Sequence, residues 1–565
     1  MNNSTFVWAD PSVCPHQINF PSPHISPTPS LPSVSIDRQC NPLSPQSASL
    51  HLVLSLFNSF CRLLFSSRFS LPLLSLFKRN FSFKPLLLAL PLIFLFCVES
   101  NAQRYVPTAS NSSYVTALAT YSGYNVTGVG GAWSITGGIT INVTGIAGGA
   151  ATLLFENNTA YQTGSSGEAF GGAIHVNNSN LTINLPNNTV SFINNHVYGG
   201  ASNHGGGAIS ARNGASVTIT SKRLIIDGNK MDAGGDQNTS GGGGFRLDSS
   251  NIIVHSSTVI FTRNSSAQDG PGGMFGGNSV LTFSASVSSV EFSNGFGAFN
   301  SVMYLYNSNN QINFLGKKSY FIRNIADNGA DWWGVLGITG GSGHQIIFDN
   351  SAGETYFIEN YASGHGSVIS VNGSNNSVRF NNQKITAIGN TANTNGGVIG
   401  MPASGSSIEF INSVSSFSNN KSPTGAIISL TGSGSKITFD GGQMIFTANT
   451  SWDANSQGVI SLAAGSMEIK NIQSMIGRGN KAGYGGFLYL PNLTFNFTGS
   501  VVELTSNTAF NATNGYGGGL YFTNSIASFR GDVSSFSWNT AWGTHGGAMY
   551  IVSNSSATFG AGVSV

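Results

Sequence analysis

The feature that most constrains this chain is internal self-similarity. Three short landmarks recur in a fixed order in about thirteen units, spaced roughly 28 to 37 residues apart. The first landmark is an apolar residue, two variable residues and Asn. It pairs Phe155 with Asn158, Phe192 with Asn195, Phe261 with Asn264, Phe321 with Asn324, Phe357 with Asn360, Phe417 with Asn420, Phe446 with Asn449, Leu504 with Asn507 and Phe536 with Asn539. Weaker copies lie at Ile226 with Asn229, at Phe292, at Ala387 with Asn390 and at Gly477 with Asn480. The second landmark is Gly-Gly before a small or apolar residue. It reads Gly171-Gly172-Ala173-Ile174, Gly206-Gly207-Ala208-Ile209, Gly272-Gly273-Met274-Phe275, Gly396-Gly397-Val398-Ile399, Gly485-Gly486-Phe487-Leu488, Gly518-Gly519-Leu520 and Gly546-Gly547-Ala548-Met549. The third is Ser-x-apolar-x-Phe or its shorter form ending in Ile, beginning at Ser216, Ser279, Ser435 and Ser525.

Each landmark has a physical reading. Alternation such as Ile437-Thr438-Phe439 sends every second side chain to one face, the mark of a half-buried strand. Three strands are expected per unit: one after Gly-Gly, one ending in the second Phe, and one leading into Phe-x-x-Asn. Gly-Gly permits a positive φ at a corner. The Asn is expected to take a corner too, and stacked on its equivalents it can form an amide ladder along the axis. One unit cannot bury enough apolar surface to offset the entropy of ordering itself, so the units must stack. The fold class expected is all-β, a right-handed parallel β-helix with about three strands per coil.

Composition agrees. Only 8% of residues are charged and 72 are Gly, yet Phe, Ile and Val recur throughout, which argues against disorder. Residues 103–565 hold 18 Lys or Arg against 19 Asp or Glu, with no basic stripe, so no nucleic-acid partner is expected. The four cysteines (Cys14, Cys40, Cys61 and Cys97) all precede residue 103. Lys78, Arg79 and Lys84 lead into an apolar run from Leu86 to Val98, with small residues at Ser100 and Ala102. That pattern reads as a secretory signal over 78–102, cleaved after Ala102. The Pro- and Ser-rich stretch 1–77 reads as an unstructured extension or a misplaced start. Residues 103–150 are expected to lead into the solenoid and 151–565 to form its repeats.

The Gly-Gly-Ala-Ile and Phe-x-x-Asn copies at Gly171 to Ile174, Phe192 to Asn195 and Gly206 to Ile209 resemble the passengers of chlamydial polymorphic outer membrane proteins. The resemblance covers about 151–565. It implies an autotransporter passenger exposed outside the outer membrane, acting as an adhesin and antigen against a host-cell surface protein or glycan. Family members continue into a C-terminal translocator barrel, whereas this sequence stops at Val565 within a repeat, so the expectation is a fragment, a truncated paralogue or a passenger exported differently.

Chemistry is sparse. Parallel β-helices also carry lyases and glycoside hydrolases, which need two carboxylates on one face. The nearest candidates are Asp327 with Asp331 and Glu354 with Glu359, expected to be solvated loop residues. Gly364-His365-Gly366 is expected to be a corner like those at His204 and His545. Asp227, Asp232 and Asp236 lack a calcium-loop pattern. Trp332, Trp333, Trp452, Trp538 and Trp542 are expected to pack over corners, with ligand stacking as the alternative. Neither a catalytic residue nor a cofactor is expected.

Overall fold

A computed structural model describes residues 104–560 and 563–564, except 163–166, 200–203, 234–239, 298–301, 328–333, 493, 531 and 544. The signal segment 78–102 with Ala102, the stretch 1–77, and the residues Asp236, Asp331, Trp332 and Trp333 lie outside the described residues.

The described chain is a parallel β-solenoid. Its backbone is strand and turn throughout, apart from one short 3-10 turn at Ala147–Gly149. Three large sheets run along it: a long sheet of 22 strands and two sheets of 14 strands each. A strand follows each Gly-Gly, as in Ile174–Asn177 and Ile209–Arg212. The next stretch belongs to the long sheet, and here the two expected strands often merge, as in Asn180–Ile193 and Ser377–Ile388. The sheet not foreseen is made of short strands just past the Asn, such as His196–Gly199 and Thr391–Ala392. Each coil gives one strand to each 14-stranded sheet, so the described residues pass through all three sheets fourteen times. Asn111–Thr116 and Asn125–Thr127 already pair within these sheets.

In-register pairing stacks like on like. One interior column runs Phe261, Phe292, Phe321, Phe357, with ring centroids 4.5, 5.3 and 5.0 Å apart. A second runs Phe283, Phe314, Phe348, Phe380, Phe410, Phe439, at 4.4 to 5.3 Å. The columns meet edge-to-face, as between Phe283 and Phe292, so both preferred aromatic geometries are used in one core.

The corner Asn residues are buried and bonded to one another. Asn158, Asn195, Asn229 and Asn264 form one ladder, and Asn324 through Asn539 form a second of eight. The amide Nδ2 of each Asn donates to Oδ1 of the next at 2.9 to 3.1 Å. Its second N–H donates to a main-chain carbonyl one coil back: Asn390 Nδ2 reaches Phe357 O at 2.9 Å. The Oδ1 of Asn390 also accepts the backbone N–H of Asn360 at 3.1 Å. Two donors and two acceptor sites are thus all used. Gly295 replaces the Asn in one coil and separates the two ladders.

The structure corrects the expected corner geometry. The left-handed residue is the one before the Asn: Asn194, Arg263, Arg323, Glu359, Asn419, Ala448, Ser506 and Trp538 have φ between 52° and 58°. The Asn itself is the buried bracket beneath that turn. The two glycines likewise divide the work. Gly171 has φ 66°, whereas Gly172 needs to lack a side chain, since a Cβ there would stand 2.2 Å from the Gly207 carbonyl of the next coil. Two copies shift in register: Gly270, not Gly272, and Gly517, not Gly518, take the left-handed position, and Gly273 pairs with Phe245. The Ser landmark forms a second buried ladder at the opposite corner. There Ser406 Oγ accepts from Asn376 N, and Ser435 Oγ from Ser406 N.

Asn390→Ala orphans two donors on Asn360 and the Phe357 carbonyl, and is expected to cost about 3–5 kcal/mol. Asn381→Ala, on the exposed face, should stay within about 0.5 kcal/mol. Urea midpoints of the two variants provide the comparison. Gly295→Asn, by joining the ladders, is expected to raise the midpoint.

Candidate binding face

The strand after each Gly-Gly points alternate residues into the core and away from it. Ile174 and Val176 face the interior, while His175, Ser210, Arg246, Met274 and Tyr304 form a column on the outer side. A second outer column is set by the residue just before the left-handed corner glycine: Val129, Phe170, Gly205, Gly241, Asp269, then His365, Asn395, Thr424, Gln457, Tyr484, Tyr516 and His545. Where both columns carry side chains they cover each other, as in the stacking of Phe170 on His175 at 6.0 Å.

Near the N-terminal end these columns enclose a buried ionic cluster. Arg246 donates to Asp248 at 3.0 Å, to the His204 carbonyl at 2.8 Å and to the Tyr306 hydroxyl at 3.1 Å. Arg212 donates to Asp248 at 3.1 Å and to Glu168 at 2.9 Å, with its guanidinium 3.9 Å above the Phe170 ring. Burial alone would raise the Asp248 carboxyl, but Arg246, Arg212 and the Tyr306 hydroxyl together hold it below its usual range. Two arginines against two carboxylates leave no net charge, so the cluster is a self-satisfied bracket and offers nothing to a ligand. His175 is neutral: burial, and then the nearby Arg212 and Arg104, pull it down to about 3.

The middle coils carry small polar residues on this face, among them Ser370, Ser429 and Ser461. At the C-terminal end the columns turn aromatic. Tyr484-Gly485-Gly486-Phe487-Leu488-Tyr489, Tyr516-Gly517-Gly518-Gly519-Leu520-Tyr521 and His545-Gly546-Gly547-Ala548-Met549-Tyr550 each place one ring before the corner and one on the strand. Tyr489, Tyr521 and Tyr550 stack at 5.1 and 5.5 Å, and Tyr516 lies 4.7 Å from Tyr550. These tyrosines are half-buried and His545 is exposed. The i, i+5 pattern across Gly-Gly was visible in the sequence but is neither a strand nor a helix period. It shows only when the three copies are aligned on the glycine.

The tryptophans depart from the expected corner packing. Trp538 is 85% exposed, Trp542 64% and Trp452 44%. Trp538 occupies the left-handed position before Asn539, and Trp452 and Trp542 each directly follow a short-sheet strand.

The carboxylate candidates are held by neighbouring coils. Glu354 bonds Lys318 at 3.0 Å and the Tyr356 hydroxyl at 2.6 Å, and Glu359 bonds Arg323 at 2.9 Å. Asp227 is paired with Arg263, and Asp232 lies 2.6 Å from Lys230 and 3.1 Å from His196. Asp327 is exposed. His365 and His545 occupy equivalent corners before Gly366 and Gly546, whereas His204 lies one residue earlier relative to Gly206. Among the described residues no group of three or more His, Cys, Asp or Glu is placed to hold a metal ion.

Compared with protein-family models, curated proteins and solved structures, the chain has no match.

The neutral His175 makes stability depend on pH. Its folded value lies far below the unfolded 6.5, so between those values only the unfolded state takes the proton. Stability is therefore full above about pH 6.5 and falls as pH drops, by up to about 1.4 kcal/mol per pH unit from this group. His175→Phe is expected to remove that part of the slope in urea titrations between pH 7 and roughly pH 4.

Proposed function

We propose that this chain is an autotransporter-like surface passenger whose work is binding, an adhesin with its contact surface at the C-terminal coils. The observation that carries the reading is the exposure of Trp538 and Trp542 beside the half-buried tyrosine columns. Most phenylalanines of the solenoid are packed into the core, and Trp538 and Trp542 are the most exposed large apolar side chains among the described residues, so rings left this far in solvent need a reason. Exposed Trp and Tyr are the residue types that dominate binding energy at interfaces, because they bury much area at small entropic cost. Charge supports the same reading: from Tyr484 to Val565 only Glu503, Arg530 and Asp532 are acidic or basic side chains other than His545. Such a surface suits a partner recognised by ring contact and hydroxyl hydrogen bonds, on a host-cell protein or glycan.

The enzymatic alternative has less to draw on. Of its candidate carboxylates, Glu354 and Glu359 are engaged in pairs between adjacent coils, which is the arrangement of a structural ladder, and Asp327 is exposed. Secretion and residence at the outer membrane belong to the same proposal and rest on the segment 78–102 and the repeat resemblance.

Beads coated with residues 103–565 are expected to attach to eukaryotic cells saturably, in competition with soluble protein. The double variant Trp538→Ala and Trp542→Ala should weaken attachment by about thirtyfold or more, at about 2 kcal/mol for a central aromatic anchor. Its urea midpoint should be unchanged. A folded double variant that attaches as well as the parent would remove the C-terminal coils as the contact surface.

A further inference from the structure

In-register stacking places tyrosine on tyrosine at several points, and one pair carries more than a packing contact. Tyr320 and Tyr356 occupy equivalent positions on adjacent strands of the long sheet. Their rings are 5.0 Å apart and inclined by only 9°. Both are half-buried on the outward face, within reach of small solutes. The Tyr356 hydroxyl donates to Glu354 Oε2 at 2.6 Å, and Lys318 from the neighbouring coil holds the same carboxylate at 3.0 Å. That hydrogen bond and then burial push the Tyr356 phenol up to about 12, while the bond to Tyr356 and then Lys318 hold Glu354 below its usual range. The phenol is therefore protonated at neutral pH and faces an ionised acceptor.

We propose that Tyr320 and Tyr356 form an oxidative cross-linking site, at which a peroxide-driven haem peroxidase converts the pair to dityrosine. Each phenol loses one electron and one proton. The Tyr356 proton passes to the Glu354 carboxylate and on to water, and the Tyr320 proton passes directly to water. The two phenoxyl radicals join through ring carbons ortho to the oxygens. Each ortho hydrogen then shifts to a phenoxyl oxygen, restoring both aromatic rings. Hydrogen peroxide takes up the two electrons and two protons and becomes two waters, so the protein loses two hydrogen atoms. No cysteine is present between residues 104 and 560, and this bond would be a covalent link between two coils that needs none. It is independent of the binding proposed for the C-terminal coils.

The test treats the purified chain with a haem peroxidase and limiting peroxide, followed by proteolysis and mass spectrometry. A peptide pair joined through Tyr320 and Tyr356, lighter by two hydrogens and showing dityrosine fluorescence, is expected in the folded chain and not in urea. Tyr320→Phe should abolish that pair. Tyr161 and Tyr198, stacked at 5.4 Å, serve as the internal reference. Glu354→Gln should lower the Tyr320–Tyr356 yield relative to that reference by about a hundredfold, the low side of what a positioned proton acceptor contributes. Absence of the joined pair in folded protein, or its equal formation in urea, overturns the site. An unchanged yield in Glu354→Gln overturns the role of the carboxylate.

Discussion

This solenoid depends on a buried amide that recurs at one corner of nearly every coil. A chain that turns sharply while staying inside its own hydrophobic envelope must leave main-chain groups unpaired, and an unpaired buried group costs about 1–3 kcal/mol. The Asn side chain resolves this in the twelve coils of the two ladders. One carbonyl oxygen takes the backbone N–H and the amide of the coil before it, and one amino group serves the coil on either side. Because each Asn completes its neighbours, no coil is satisfied alone. The Phe columns and the strand register repeat at the coil height that this bracket shares, and they carry it across the one coil where Gly295 stands in for the Asn.

Much of that was legible in the sequence. Phe-x-x-Asn and Gly-Gly are frequent enough to be seen without alignment, and period-two alternation identifies the long-sheet strands. What escaped has local reasons. The short sheet contributes as few as two residues per coil, too few for any periodicity to register. The left-handed position before the Asn is filled by Asn, Arg, Glu, Ala, Ser and Trp, so no residue type marks it. Gly270-Pro271-Gly272-Gly273 offers two candidate corner glycines, Gly270 and Gly272, and only pairing with Gly242 to Phe245 decides between them. The aromatic face was missed because its signal joins two residues across a corner, and exposure of Trp538 depends on a turn geometry that sequence does not print.

The outer side of the Gly-Gly sheet illustrates how a repeat scaffold separates support from specificity. Its inward residues hardly vary in kind, whereas the outward ones pass from a closed ionic bracket around Arg246, through small hydroxyls, to tyrosines. The same register that aligns phenylalanines inside aligns whatever stands outside. A single substitution therefore adds a ring to a column, and three neighbouring ones make a surface.

Gly295 gives this molecule an uneven mechanical character. Pulled along its axis, a solenoid resists through bonds between successive coils, and its tearing point is the weakest of these junctions. Asn324 still bonds the Gly295 coil, but between the coils of Asn264 and Gly295 no corner amide crosses, leaving strand pairing and stacked phenylalanines to bear the tension. Under load the chain should part there into two blocks before either block unravels, so that tension on one end is relieved without dismantling the other.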